Sequence, residues 1–144
     1  QELEAAGCPV GIGVDGSASN DGSNMIQEVR QALYLQRLKY GAHVSHFDAY
    51  RWATEGSAKM LGRSDIGSLE VGKQADIAFF KLDDMRFSGS HDPLAALLLC
   101  GAHKAEHVMV AGKWRVRYGV ISGLDIGPLI LQHSASAQAL VAKI

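Results

Sequence analysis

Residues 9–21, Pro-Val-Gly-Ile-Gly-Val-Asp-Gly-Ser-Ala-Ser-Asn-Asp, constrain this chain more than any other stretch. Val10 to Val14 is a short apolar run without polar alternation, the pattern of a parallel strand covered on both faces. The run stops at Asp15 and gives way at once to small and polar residues. A carboxylate at the carboxyl end of a buried strand lies at the mouth of a sheet or barrel, where α/β proteins keep their chemistry. The fold class this implies is α/β.

The rest of the chain supports that reading. Residues 1–6 read as the end of a helix stopped by Gly7, an unusual start that suggests a piece of something longer. A helix is predicted from Asn24 to Tyr40, with Met25, Ile26, Val29, Leu33, Leu35 and Leu38 near a 3.6-residue period. A second runs from His46 to Leu61, burying Phe47, Tyr50, Ala53, Ala58 and Leu61, with Ser45 as N-cap and Asp48 as capping-box acid. The texture changes near Arg63. A turn-rich stretch leads to a strand over 75–82, and Asp92-Pro93 opens a short helix to Cys100. Strands 106–110 and 113–118 are joined at Ala111-Gly112 as a hairpin, 120–122 extends them, and a helix lies within 124–143.

Composition excludes several classes. The chain has 14 basic and 15 acidic residues, a formal net charge of −1, so neither nucleic acid nor a membrane surface is an expected partner. No apolar run approaches the roughly 18 residues of a membrane span. Cys8 and Cys100 form no CxxC pair and sit in apolar surroundings, which predicts buried free thiols and a cytoplasmic setting.

Asp15 is the leading candidate for chemistry, as a metal ligand or general base; the competing reading is an ordinary capping or turn aspartate. Ser17, Ser19 and Asn20 could donate to a ligand or satisfy their own backbone. No phosphate-cradling glycine motif follows Val14. His43/His46 and His103/His107 lack the helical HExxH context, and His91-Asp92 reads as a cap. Glu28, Arg30 and Arg37 read as a solvated helix face, and Trp52 and Trp114 as packing residues. On the residues alone, this is half a site: one well-placed acid without partner ligands.

Three segments, in order, resemble the amidohydrolase superfamily, in its cytosine/guanine/atrazine-type deaminase branch. They are Gly13 to Asp21, Ala53-Thr54-Glu55-Gly56-Ser57-Ala58-Lys59-Met60-Leu61-Gly62, and Ile66-Gly67-Ser68-Leu69-Glu70-Val71-Gly72-Lys73-Gln74-Ala75-Asp76-Ile77. Val108 to Lys113 resembles the late hairpin of the family's β-sandwich. The loop after Asp15 and the stretch His91-Asp92-Pro93 are most similar to the 8-oxoguanine deaminases, with isoxanthopterin deaminases and triazine-type hydrolases close by.

The resemblance implies the C-terminal portion of a metal-dependent (β/α)8 barrel plus part of a small β-sandwich. Residues 1–65 would be the last βα units, 66–122 a sandwich segment with a short helix at 93–100, and 123–144 a helical tail. It implies one divalent metal, zinc or iron. It implies Asp15 as metal ligand and proton shuttle, Ser19 near a heterocyclic substrate, and Gly72, Lys73 and Asp76 as structural. The expected reaction is hydrolytic deamination of a purine, pterin or triazine ring, with a homo-oligomer as the family expectation. The strand-one HxH, the strand-five glutamate and histidine and the strand-six histidine of the family have no counterpart here. The alternatives are a non-catalytic truncated module, serving structure or association, and a related triazine hydrolase.

Overall fold

The computed structural model describes residues 1–102 and 104–143. Helix α1 (Glu2–Ala5) leads into the apolar segment 9–14, the loop 15–24 and helix α2 (Met25–Tyr40). Helix α3 (His46–Arg51) runs through a π-helical turn (Trp52–Gly56) into α4 (Ser57–Met60). Strand β1 (Ile77–Phe79), a 3-10 turn (Met85–Phe87) and α5 (Pro93–Leu99) follow, then β2 (His107–Val110), β3 (Lys113–Arg117), β4 (Val120–Ile121) and α6 (Ile126–Val141).

Local chemistry sets the helix ends. The Asn24 side chain accepts from the N–H groups of Ile26 and Gln27, satisfying donors that the first turn of α2 leaves open. Ser45 and Asp48 form the expected capping box on α3. Asp92 caps α5 through Ala95 N (2.9 Å), with Pro93 at the first helical position.

Helices α2, α3 and α5 share one core of Val29, Leu33, Val44, Ala49, Trp52 and Leu98. Each fully buried Val or Leu there stabilises the fold by about 1.5–3 kcal/mol. Leu35 and Leu38, read from sequence as part of the α2 stripe, are exposed. At 100° per residue Leu35 lies about 200° round the helix from Leu33, on the opposite face. Phe47 and Leu61 are likewise exposed, and Ala49 and Trp52 take the inward positions. Phe87, Ala96, Leu97 and Ala102 form a second cluster against which Phe80 and Leu82 pack.

Residues 9–14 take no ladder hydrogen bonds, where sequence predicts a strand. A buried parallel strand needs neighbours on its edges, and the described residues offer none. The segment is instead held by the helix beneath it. Ile12 N–H donates to Ser57 Oγ (3.2 Å), and the Ser57 hydroxyl lies 3.1 Å from both Ile12 O and Trp52 O. Val10 and Ile12 pack on the helical core. The backbone approach is close: a Cβ on Gly56 would stand 2.0 Å from Val10 O. The predicted unbroken helix 46–61 is widened at this contact, where Thr54 Oγ1 also donates to Tyr50 O (2.8 Å).

The four strands form an antiparallel sheet in the order β1-β2-β3-β4. Ala111 and Gly112 both have positive φ (49° and 74°), the geometry of a type I′ hairpin turn. Asp76 fastens this turn, its carboxylate accepting from Ala111 N (2.6 Å). In the turn-rich stretch before β1, Arg63 grips the Asp65 carboxylate with two hydrogen bonds and holds it well below the usual range. Lys73 pairs with Glu70 (3.0 Å). Cys8 and Cys100 are free but exposed, contrary to expectation. Cys8 follows the end of α1 and Cys100 caps α5, positions the core does not reach. Helix α6 buries none of its residues against the described chain.

Tyr50 links α3 to α5 by donating its hydroxyl to Leu94 O (2.8 Å). Burial, reinforced by the Asp92 charge, pushes the phenol up to about 12. A phenol raised in the folded state adds stability that is complete below its unfolded value near 10 and is lost as pH rises through 12. Melting temperature should therefore fall more steeply between pH 10 and 12 in the wild type than in Tyr50→Phe. Gly56→Ala should cost about 1–3 kcal/mol in denaturant unfolding, because the methyl group meets backbone that cannot yield.

Candidate active site

Asp15 stands exposed at the end of the apolar segment with φ of 61°, in the left-handed region. Aspartate tolerates this conformation better than most residues, and non-glycine residues so held concentrate at functional sites. Gly16 N–H donates to Asp15 Oδ1 (2.7 Å). The next turn closes on Gly16 O, which accepts from Ser19 N (3.0 Å), Asn20 N (2.9 Å) and Ser19 Oγ (3.1 Å). Ser19 is exposed, and its hydroxyl donates within its own turn.

Asn20 organises the remainder of the loop. Its Oδ1 accepts from Gly22 N and Ser23 N, each at 3.1 Å, and its Nδ2 donates to Glu28 Oε1 at 2.6 Å. Sequence reading places Glu28 on a solvated face; the structure turns it toward the loop. The signal was available only as an acid in the first turn of α2, eight residues from Asn20.

Among the described residues no group of histidines gathers with Asp15 as a metal site. His46 Nε2 is buried 3.3 Å from Asp92 Oδ2 without hydrogen-bond geometry, a contact between α3 and the cap of α5. His107 lies among Phe79, Trp114 and Tyr118 on the sheet, with Nδ1 accepting from Tyr118 N (3.2 Å). His43, His91 and His133 are exposed, and the His103/His107 pair is half outside the described residues. Trp52 packs as expected and donates Nε1–H to Glu4 (2.7 Å), whereas Trp114 is partly exposed.

Among the described residues no three His, Cys, Asp or Glu side chains gather as a metal site. A catalytic zinc takes at least three protein ligands. Asp15 is chemically suited to be one of them, but the described residues do not hold an ion by themselves. A surface cavity of about 330 Å³, lined by Glu4, Cys8, Arg51, Trp52, Glu55 and Lys59, lies beside α1 and does not include Asp15.

Residues 1–123 match the model of the amidohydrolase family, and the chain belongs to that family. It is 66% identical over 142 residues to an 8-oxoguanine deaminase of Pseudomonas aeruginosa, covering 98% of this chain and 32% of that protein. Its fold superposes on an adenosine deaminase from Xanthomonas campestris with bound zinc, at TM-score 0.88 and 29% identity, covering 99% of this chain and 33% of the other. An atrazine chlorohydrolase from Arthrobacter aurescens complexed with zinc gives TM-score 0.83 at 35% identity, covering 93% and 31%. The chain is thus a portion of the amidohydrolase (β/α)8 barrel architecture and spans about a third of the length of the curated relatives it matches. No helix among the described residues is long and apolar enough to cross a membrane.

The left-handed backbone of Asp15 has a measurable consequence. Asp15→Gly, which adopts that conformation freely, should unfold at the same denaturant concentration or gain up to about 1 kcal/mol, while losing whatever activity the carboxylate supports.

Proposed function

We propose that this chain supplies the carboxylate end of the active site of a metal-dependent aminohydrolase. The enzyme would act on a purine, pterin or triazine ring, and an 8-oxoguanine-like substrate is the preferred assignment. The observation that carries the reading is the position of Asp15, exposed and conformationally strained at the end of a segment seated on the helical core, within a chain so similar to an 8-oxoguanine deaminase. The zinc of two structural neighbours supports one divalent ion, zinc or iron, with Asp15 as one ligand among others.

Asp15 serves as the proton carrier. Its carboxylate takes a proton from the water that adds to the ring carbon bearing the amine and returns it to the departing nitrogen. The carbon–nitrogen bond breaks and ammonia leaves, while the second proton of the water ends on the adjacent ring nitrogen as the ring carbonyl forms. Carboxylates suit this work because they exchange protons readily once water is activated nearby. Ser19, four residues on, is assigned to the substrate side of the same loop. Residues 1–65 are read as the last βα units of the barrel, 66–122 as sandwich and 123–144 as tail. The exposed apolar residues of α6 fit association with further protein surface, and a homo-oligomer is the state we assign. A cytoplasmic setting fits small-molecule metabolism.

The test is ammonia release from 8-oxoguanine and isoxanthopterin by the polypeptide that carries this chain, with zinc or iron restored. Turnover of 8-oxoguanine is expected. Turnover of triazines alone would move the assignment to a triazine hydrolase, and no turnover of any ring would favour a non-catalytic module. Asp15→Asn should lower kcat by roughly 10²–10⁴ with melting temperature little changed; near-wild-type turnover would remove Asp15 from the chemistry.

A further inference from the structure

We infer that Glu28 is a positioning residue for Asp15, acting through Asn20; the inference rests on Asp15 having the role proposed above. The connection is continuous. Glu28 lies in the first turn of α2, immediately before Val29, which is 1% exposed and lies in the main core. Its Oε1 accepts from Asn20 Nδ2 at 2.6 Å, one of the shorter side-chain contacts in the loop region. The same Asn20 side chain accepts from Gly22 N and Ser23 N through Oδ1, and its main-chain N–H donates to Gly16 O. Gly16 N–H in turn donates to Asp15 Oδ1. Asn20 thus joins both limbs of the loop, the later one through its side-chain amide and the earlier one through its main-chain N–H, and that amide is oriented by one carboxylate anchored on a core helix.

The chemistry selects these residue types. Asn20 must donate at one end and accept at the other, which an amide does and an aspartate does not. Glu28 must accept, and the charge makes its hydrogen bond shorter and stronger than a neutral one. Residues 15–19 are exposed and Asn20 is only partly buried. Polar fastening is therefore what holds Asp15 in the left-handed conformation. Small displacements of a reacting group cost large factors in rate, so loosening this fastening should be read in turnover before it is read in stability.

The experiment compares wild type, Glu28→Ala, Glu28→Gln and Asn20→Ala in the polypeptide that carries this chain. It measures kcat, KM, melting temperature and amide hydrogen exchange in residues 16–24. Glu28→Ala should lower kcat by roughly 10- to 100-fold with KM nearly unchanged. Glu28→Gln, which keeps an acceptor oxygen, should recover most of that loss. Asn20→Ala combined with Glu28→Ala should be no slower than Asn20→Ala alone. Exchange at Gly22 and Ser23 should quicken in Glu28→Ala. Wild-type kcat in Glu28→Ala would overturn the inference. So would a loss of activity that follows melting temperature and is not rescued by Glu28→Gln. If the wild type proves inactive, the functional reading fails separately; unchanged exchange at Gly22 and Ser23 would then overturn the fastening itself.

Discussion

The seating of residues 10–12 on the helix turn around Gly56 and Ser57 is the contact on which the rest of this structure depends. One serine hydroxyl addresses both the N–H and the C=O of Ile12. The missing side chain of Gly56 lets Val10 O approach closer than any Cβ would allow. The helix accommodates this by widening to a π-turn, so that Trp52 still points into the core while the backbone beyond it meets the apolar segment. Asp15 comes directly after that segment, and its place in space follows from it.

Around this contact the chain divides its work between apolar and polar forces. The helices are joined by area: Val29, Leu33, Val44 and Leu98 are essentially inaccessible. The loop bearing Asp15 has no such burial and is organised by directional bonds through Gly16, Asn20 and Glu28. That arrangement suits a site open to a ligand. Apolar packing over the carboxylate would exclude solvent, whereas these bonds leave it exposed.

The described chain also shows surfaces that it does not itself cover. Segment 9–14 has main-chain groups without ladder partners, and α6 presents Leu129, Ile130, Leu131, Leu140 and Val141 to the outside. The sheet displays Phe79, Trp114 and Tyr118.

Much of the local structure was legible in the residues. The Ser45/Asp48 capping box, the Asp92 cap and the Ala111-Gly112 hairpin follow from side-chain chemistry acting over a few positions, so spacing reveals them. Asp15 was legible for the same reason: an acid interrupting an apolar run. What spacing did not determine was which apolar residues turn inward. Phe47 fits the helical period of its own segment, and only the placement of α3 left it outside; Leu35 and Leu38 instead lie across α2 from Val29 and Leu33. The partnership of Asn20 with Glu28 was likewise a tertiary decision, because it depends on how the loop folds back over the first turn of α2. The state of residues 9–14 was decided there too, since a strand is defined by its neighbours and the sequence of one strand does not contain them.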